Sequence, residues 1–438
     1  MDGGLAVLAL FLLFVYIGVV YVRLPESANY LAALPLIIVF TLLIDGVKSL
    51  LEAALVARKF LHIPRNKVSL HYGLSVLIAC HNGESKIAQT VRNVKRSLPG
   101  ATVYVVDDCS QDNTSRIALR AGAKVLKLGK NQGKVGALHR LLGHIKTEYV
   151  LIMDDDMLIS GITMPYVLLD RFDAVAFNVL PQGDSFISKL QRYEYRKSME
   201  IGKNYHASTG SVLCVSGAIG FFRTQRLMSQ IDRHSGEFSG EDLERTLLVH
   251  SYDDSRGVTF IDHVVTTEVP QTIAMLFRQR CLGWNPGFMG NARLLAVVLF
   301  SKGKPIQLRV DAAYNLVNIP LDILRVLSLP VLVKYPIFFL IMCLLYVVID
   351  GCLYVAMNRK DPIIMVFLAP FYGIFCLITR FIGMFVYIYR EATELLYWGM
   401  RNTPDSYRRA PLSLQLVSSV FTILSLLLVL MLGLVLIA

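Results

Sequence analysis

The sequence predicts an α/β domain attached to a group of membrane-spanning helices. Long apolar runs lie toward both ends of the 438-residue chain, and strand-like and helix-like segments alternate between them. Polar and acidic residues stand where successive predicted strands end. Because 54% of the residues are hydrophobic, the chain is more apolar than an average soluble protein, and the apolar runs account for the excess.

Five apolar runs predict the membrane helices. A window of about 18 or more apolar residues is long enough to cross a bilayer as a helix. The first run has no basic segment before it and no small-residue cleavage site after it, so we expect it to be retained rather than removed as a signal peptide. The runs occupy residues 5–22, 30–44, 337–349, 362–378 and 412–438.

These runs divide the chain into four predicted parts. The parts are two N-terminal membrane helices (1–56), a soluble domain (57–310), an interfacial or re-entrant helix (311–336) and three C-terminal membrane helices (337–438). The third part can instead form a sixth span, because it is apolar but broken by prolines and charges. We therefore expect an integral membrane protein with five or six spans in contact with the lipid bilayer.

Charge and cysteine content narrow the setting and the partners. Two loops rich in Lys and Arg, at residues 57–67 and 389–411, predict that these loops and the soluble domain face the cytoplasm. The formal net charge of +11 suits an anionic lipid surface and anionic substrates. No basic and aromatic stripe recurs through the domain, so nucleic acid is not an expected partner. Seven cysteines without CxxC spacing argue against a disulfide framework or a zinc site.

The soluble domain alternates strand and helix patterns. Strand-like runs are "LSVLIAC" (74–80), "GATVYVVDDCS" (100–110), "KVLKLG" (124–129) and "EYVLIMDDD" (148–156), and segments with helical spacing separate them. Strands that are apolar throughout are typical of a parallel sheet covered by helices on both faces. In such sheets, ligands bind beyond the carboxyl ends of the strands.

Polar residues collect at those carboxyl ends. They are His81, Asn82 and Glu84 after the first strand, Asp107 and Asp108 after the second, and Asp154, Asp155 and Asp156 after the fourth. Because the carboxyl ends of parallel strands meet at one edge of a sheet, these side chains predict a single site.

Three consecutive aspartates at the end of an apolar strand predict a metal site. Residues i and i+2 of an extended segment point to the same side, so Asp154 and Asp156 can face one ligand while Asp155 faces away. Two carboxylates suit Mg²⁺ or Mn²⁺, which take waters and phosphate oxygens as their remaining ligands. The expected ligand is thus a divalent ion that arrives with a diphosphate. The alternative is a solvated acidic turn.

Seven motifs, in this order, resemble those of the membrane-embedded family 2 glycosyltransferases, a group that includes hyaluronan, chitin, cellulose and poly-N-acetylglucosamine synthases. The motifs are "VLIACHNGES", "VYVVDDCSQDNT", "KNQGKVGAL", "YVLIMDDDM", "VSGAIGFFRTQRL", "FSGEDLERTLL" and "TTEVPQTIAMLFRQRCLGW". The resemblance covers residues 74–290. It implies a GT-A (Rossmann-like) fold and inverting transfer of a glucose or N-acetylglucosamine type sugar from a UDP-sugar to a growing β-linked glycan, which the membrane helices conduct outward.

The resemblance also implies a role for each matching residue. Donor-binding positions are Ala79, His81, Glu84, Asp107, Asp108, Lys134, Asp154, Gln279 and Arg280. Asp154 and Asp156 match the DxD pair that holds Mg²⁺ or Mn²⁺, and Asp242 matches the general base. Acceptor-binding positions are Ser216, Gly217, Glu241 and Trp284. The implied location is the plasma (inner) membrane with a cytoplasmic catalytic domain, with a homo-oligomer or an export partner as further expectations.

Local readings of some of these residues remain open. Ser239 and Asp242 have the spacing of a helix capping box. Lys134 can be a solvated lysine at a helix start, Asp107 a turn residue, and Trp284 an interfacial anchor in an aromatic belt.

The chain departs from the family pattern at the last motif, (Q/R)xxRW. If Trp284 keeps its place, Arg280 takes the Gln/Arg position and Gly283 replaces the arginine. If Gln279 keeps its place, the tryptophan comes one residue late. In either case a hydrogen-bond donor to the diphosphate is lost or moved. Arg280 or Arg278 is the expected substitute, because a guanidinium can form two parallel hydrogen bonds to a phosphate.

Two rival functions fit the same residues less fully. A non-processive enzyme that glycosylates a lipid acceptor needs the same donor site but no channel, and the altered tryptophan motif favours it. A transporter or scaffold with a decayed enzyme domain is the other, and intact Asp154, Asp156 and Asp242 argue against it. Asp350, an acidic residue inside an apolar run, is expected to line a polar channel rather than to pair with Arg380.

Overall fold

The structure, a computed structural model, describes residues 33–56, 73–159, 168, 170–236 and 240–398. The predicted helices in residues 5–22 and 412–438 lie outside the described residues.

A seven-stranded sheet forms the centre of the soluble domain. Its strands are β1 (Leu74–Cys80), β2 (Thr102–Asp107), β3 (Lys124–Lys127), β4 (Tyr149–Met153), β5 (Ala174–Gln182), β6 (Ile219–Arg223) and β7 (Val258–Glu268). Their order across the sheet is β3-β2-β1-β4-β6-β5-β7. The four strands predicted from the sequence pair in parallel, as expected. The sheet is nevertheless mixed, because β6 pairs antiparallel with both β4 and β5.

Helices flank the sheet and continue into an apolar C-terminal region. They are α1 (Ala33–Val56), α2 (Ile87–Ser97), α3 (Thr114–Arg120), α4 (Gly133–Leu142), α5 (Phe186–Arg196), α6 (Asn204–Thr209), α7 (Thr224–Met228), α8 (Glu241–Ser251), α9 (Ile273–Gln279), α10 (Asn285–Gly290), α11 (Ala292–Phe300), α12 (Ile306–Leu327), α13 (Leu329–Lys334), α14 (Pro336–Ala356) and α15 (Ile364–Trp398). Two π-helical turns, Lys197–Lys203 and Arg280–Trp284, join α5 to α6 and α9 to α10.

The core of the domain explains why these segments fold as they do. Strands β1 and β4 lie at the middle of the sheet and are buried almost throughout, which fits their apolar sequences. Helix α2 is amphipathic, and its residues Ile87, Val91 and Val94 pack against the sheet with no exposed surface. The edge strand β3 is partly exposed, as its alternation of Lys with apolar residues predicts.

Three described helical segments are long and apolar enough to cross a membrane: 306–334, 336–356 and 364–391. The first of them covers residues 311–334 of the segment 311–336, which the sequence left open between an interfacial helix and a sixth span. Helix α1 packs beside α14, where the Tyr346 hydroxyl donates to the carbonyl oxygen of Leu42 at 2.8 Å.

Ion pairs join the soluble domain to the apolar helices. Arg196, on α5, donates to Asp361 at 2.7 Å, and Lys197 lies 2.6 Å from Asp350. Asp350 is buried and paired with Lys197. Its position in an apolar run led us to expect that it lines a polar channel, and the structure instead places it in this ion pair. As expected, it does not pair with Arg380, whose guanidinium lies 2.6 Å from Asp322.

Candidate active site

A cavity of about 610 Å³ lies at the carboxyl end of β4 and reaches the beginning of the apolar helices. Nine of the residues predicted to act in the site line it: Lys134, Asp154, Asp156, Ser216, Gly217, Glu241, Asp242, Gln279 and Trp284. The topology therefore brings the metal-binding, base and acceptor positions of the sequence into one cavity.

The aspartates after β4 alternate as predicted. Asp154 and Asp156 line the cavity, whereas Asp155 points to the other side and accepts a hydrogen bond from the Cys80 thiol at 2.9 Å. That contact also explains the glycine at position 83. A Cβ atom at position 83 would lie 2.2 Å from the Cys80 sulfur and 2.7 Å from an Asp155 oxygen, so only glycine fits.

Lys134 is the cation at the centre of this cluster and not a solvated lysine. Its ammonium lies 2.7 Å from Asp154 and 3.0 Å from Glu241, and it donates to the Gly217 carbonyl at 3.0 Å. Burial works against the charged form, but the two carboxylates outweigh it and raise the pKa of Lys134. Lys134 therefore ties together three segments that are distant in sequence.

The two carboxyls of the predicted metal site sit where a cation is favoured. Burial is the largest factor that disfavours their charged forms, and repulsion from neighbouring carboxylates acts in the same direction. Although Lys134 and Lys86 offset part of this, the pKa values of Asp154 and Asp156 lie above the ordinary range. Among the described residues, no group of three or more His, Cys, Asp and Glu side chains is arranged to hold a metal alone. Two carboxylates suffice when phosphate oxygens complete the coordination.

Asp242 projects into the cavity from the first turn of α8. Its carboxylate accepts the backbone N–H of Gly217 at 3.0 Å and that of Leu243 at 2.8 Å, which fixes both oxygens. Ser239, the other residue of the expected capping box, lies outside the described residues. The described helix begins at Glu241 with Gly240 before it. Gly240 packs directly on another helix, and a Cβ there would lie 3.0 Å from the Gly287 backbone.

The residues after β1 and β2 form a neighbouring loop cluster. Asp107 is a turn residue, since it accepts the Ser110 N–H at 2.8 Å and the Ser115 hydroxyl. Asp108 accepts the Gln132 N–H at 2.7 Å and so holds the loop before Lys134. His81 contacts the Asp108 carbonyl at 2.8 Å, Glu84 accepts the Asn113 N–H at 2.9 Å, and Ala79 is half-buried in β1. The described lining of the 610 Å³ cavity does not include these five residues.

The altered tryptophan motif is accommodated by a π-helical turn. Gln279 and Trp284 are five residues apart, one more than in (Q/R)xxRW, and residues 280–284 form a π turn. A π turn has i→i+5 hydrogen bonds, so it absorbs the extra residue, and both side chains line the same cavity. Gln279 and Trp284 can therefore both act in this cavity despite the extra residue between them.

Arg280 does not face the donor side of this cavity, contrary to the role expected for it. Its guanidinium makes a forked ion pair with Glu194, at 3.0 and 2.6 Å. Burial opposes ionisation of Glu194, but the charge of Arg280 and the hydrogen bonds outweigh it and lower the pKa of Glu194. A guanidinium held in this way has its two terminal nitrogens occupied.

Several cavity residues were missed by the sequence analysis. Glu194 and Tyr195 come from α5, Lys203 from the π turn after it, and Cys214 and Glu268 from the segments before β6 and at the end of β7. Glu268 lies in the last motif quoted above but was given no role there, and the other four belong to no motif considered above. The one available signal was a glutamate between tyrosines at 193–195, in a helix whose other face is apolar.

A second cavity of about 450 Å³ lies among the apolar helices and shares Trp284, Phe288 and Asn315 with the first. Its lining combines apolar residues with charged ones, among them Asp322 and Arg380. Trp284, which is 39% exposed, stands at the boundary of the two cavities.

Replacing Lys134 with Met should weaken both folding and donor binding. The change leaves Asp154 and Glu241 without their shared cation, at a cost of about 1–3 kcal/mol for an unsatisfied charged group. Without the ammonium, the pKa values of these two carboxyls rise in the folded variant, so its folded state binds more protons than its unfolded state. The loss of folding stability relative to the unsubstituted protein should therefore grow as pH rises from 5 to 7.5. Thermal unfolding at both pH values measures it, with the exposed Lys130→Met as control. Equal loss of stability in the two variants would contradict the central role of Lys134.

Comparison with known proteins agrees with this arrangement. Residues 75–229 match the family "Glycosyl transferase family 2". Poly-β-1,6-N-acetyl-D-glucosamine synthase of Staphylococcus epidermidis is 25% identical over 231 residues, which are 49% of this chain and 54% of that protein. The synthase of Staphylococcus aureus is 25% identical over 163 residues, 34% of this chain and 39% of that protein. The chain thus spans about half the length of the curated relatives it matches, or less.

A solved structure shows the same fold. The mannosyltransferase PcManGT of Pyrobaculum calidifontis, in complex with GDP-Man and Mn²⁺, aligns with a TM-score of 0.50 and 14% identity over 76% of this chain and 96% of that one. The predicted GT-A (Rossmann-like) α/β fold is confirmed, with a mixed rather than a parallel sheet. Residues 75–229 thus match glycosyltransferase family 2, and the chain continues into a C-terminal region with helices apolar enough to span a membrane.

Proposed function

We propose that this protein is a membrane glycosyltransferase that transfers a sugar of the glucose or N-acetylglucosamine type from a UDP-sugar to a growing β-linked glycan. The product passes from the catalytic cavity into the cavity among the apolar helices. The catalytic domain faces the cytoplasm, and the plasma (inner) membrane is the proposed location. A homo-oligomer or an export partner remains a prediction.

One observation carries this proposal: the catalytic cavity and the helix cavity share Trp284, Phe288 and Asn315. A flat indole suits the apolar face of a pyranose, and its N–H can bond a hydroxyl. An acceptor sugar placed on Trp284 would have its reactive end toward Asp242 and the rest of the glycan toward the apolar helices. A soluble acceptor has no need of the second cavity.

Each of several residues of the catalytic cavity has its own role in the proposed reaction. The acceptor hydroxyl oxygen attacks the anomeric carbon, the bond from that carbon to the UDP oxygen breaks, and the hydroxyl proton passes to Asp242. The backbone N–H groups of Gly217 and Leu243 orient the Asp242 carboxylate. Lys134, between Asp154 and Glu241, keeps the donor side of the cavity assembled.

Asp154 and Asp156 would hold Mg²⁺ or Mn²⁺. The raised pKa values of the two carboxyls and their place on one side of the chain fit a cation with oxygen ligands. When bound, such an ion neutralises the charge of the departing diphosphate. The Mn²⁺ of the PcManGT complex supports a divalent ion in this fold.

The relatives support the choice of sugar. The two staphylococcal proteins are named poly-β-1,6-N-acetyl-D-glucosamine synthases, which favours UDP-N-acetylglucosamine as the donor and a glycan as the acceptor. A lipid acceptor is the second candidate, because the helix cavity is also lined by apolar residues such as Ile319, Phe381 and Met384.

The donor can be tested with the purified full-length protein in lipid. We expect sugar transfer from labelled UDP-N-acetylglucosamine or UDP-glucose, dependent on Mg²⁺ or Mn²⁺ and abolished by a chelator. GDP-mannose, which differs from these donors in both the nucleobase and the sugar, serves as the control. Transfer only from GDP-mannose, or transfer undiminished by the chelator, would contradict the proposed donor or the metal site.

Replacing Trp284 with Ala should slow transfer to the acceptor more than it weakens UDP binding. The reason is the position of the indole at the boundary of the two cavities, away from the aspartate pair. Turnover, UDP affinity and thermal stability are measured on the same preparation. A bilayer anchor would give lower stability with normal turnover in the folded fraction, and that result would remove Trp284 from the acceptor site.

A further inference from the structure

The one-residue extension of the tryptophan motif places a charged network against the indole. Arg280 begins the π turn that ends at Trp284, and its guanidinium carbon lies 4.3 Å from the centre of the indole ring. At that distance, a guanidinium over an aromatic face is attracted by the negative charge of the ring face. The ring therefore has a fixed cation on one side.

The same guanidinium is held from a second element. Glu194, on α5, accepts hydrogen bonds from both terminal nitrogens of Arg280, at 3.0 and 2.6 Å. The next residue, Tyr195, has its ring tilted by 33° to the indole with centroids 5.9 Å apart. Helix α5 thus contacts Trp284 twice, through Tyr195 directly and through Glu194 and Arg280.

A third element completes the network from the apolar region. The hydroxyl of Tyr372, on α15, donates to Glu194 at 2.8 Å. Because α15 is one of the segments apolar enough to span a membrane, the orientation of the indole depends on contacts from both the catalytic domain and the apolar helices.

We propose that Arg280 and Glu194 are positioning residues that act through Trp284, and that Tyr372 ties them to α15. In this role, Arg280 does not take over binding of the diphosphate but sets the angle of the indole on which the acceptor sugar packs. This inference rests on the proposed function insofar as Trp284 contacts the acceptor. The geometry of the ring itself can be measured without any activity.

The experiment uses fluorescence of a single tryptophan. The chain contains two tryptophans, so Trp398→Phe leaves Trp284 as the only emitter. In this background we compare Arg280→Lys, which keeps the charge but loses the fork and the planar stacking, with Glu194→Gln and Tyr372→Phe. Arg120→Lys, on the exposed surface of α3, is the matched control. Measurements on the full chain in lipid are Trp284 emission, its quenching by acrylamide, and thermal unfolding.

We expect the three network variants to shift Trp284 emission to longer wavelength and to increase quenching, whereas Arg120→Lys changes neither. With a β-1,6-linked N-acetylglucosamine pentasaccharide as acceptor, the acceptor KM should rise about 10-fold while UDP affinity changes less than about twofold, because a displaced platform misplaces only the acceptor. Tyr372→Phe, which removes one hydroxyl and no charge, should show the fluorescence change in fully folded protein.

Two results would overturn the inference. One is unchanged emission and quenching in folded Arg280→Lys and Tyr372→Phe. The other is a loss of UDP affinity in Arg280→Lys as large as its loss of acceptor affinity, which would return Arg280 to the diphosphate. If the fluorescence changes but Trp284→Ala has a normal acceptor KM, the positioning of the ring stands and the acceptor role in the proposed function fails.

Discussion

Replacing Asp242 with Asn is expected to abolish sugar transfer while UDP-sugar binding stays within about twofold of the unsubstituted protein. A positioned general base contributes on the order of 10²- to 10⁴-fold to a rate, and Asn keeps the shape and the acceptor oxygen of the side chain without its ability to take a proton. The Gly217 and Leu243 N–H groups that now orient the carboxylate can still orient an amide oxygen.

The measurement separates chemistry from binding. Single-turnover transfer and UDP affinity are determined on the same preparation, with Asp253→Asn, an exposed acid beyond the end of α8, as the control. We expect normal transfer in the control. Transfer by Asp242→Asn at more than about one tenth of the normal rate would eliminate Asp242 as the base.

Replacing Asp156 with Ala is expected to weaken metal-dependent UDP binding on the order of 10- to 100-fold. The change removes one of two proposed protein ligands of the ion. UDP affinity without metal should change little, because Lys134 and its partners Asp154 and Glu241 stay in place.

Asp155→Asn is the matched control for this prediction. Asp155 lies between the two proposed metal ligands in sequence, but it accepts a hydrogen bond from the Cys80 thiol on the other side of the chain. Asn keeps an acceptor oxygen at that position. Titration of UDP with and without Mn²⁺ gives two affinities for each variant. An Asp156→Ala protein whose affinity still rises normally on addition of Mn²⁺ would show that the ion binds elsewhere.

The parts of the site that depend on local periodicity were predictable. The apolar strands β1, β2 and β4 and their shared edge follow from short-range patterns, and so does the outward turn of Asp155, which the two-residue period of an extended chain dictates. The pairing of the predicted strands is parallel because helices connect them. The antiparallel insertion of β6 between β4 and β5 was not predictable, because it depends on how later segments return to the sheet.

Contacts between distant segments account for the errors. Arg280 appeared to be free for phosphate because its partner Glu194 lies 86 residues earlier in the chain. The close approach of Gly240 to the Gly287 backbone joins segments that are 47 residues apart, so no local pattern could show it. Asp350 seemed to be an intramembrane acid facing a channel, but Lys197 from the catalytic domain reaches it.

The most direct test of the proposed function is the size and location of the product made by the full-length protein in sealed liposomes. Labelled UDP-N-acetylglucosamine and Mn²⁺ are supplied on the side of the catalytic domain, and a hexosaminidase is then added to the same side. Passage of the product between the two cavities, which share Trp284, Phe288 and Asn315, predicts a polymer of many sugars that is largely protected from the enzyme until detergent dissolves the membrane. A single sugar attached to lipid, or a polymer that the enzyme digests fully in intact liposomes, would contradict transfer coupled to passage through the apolar helices.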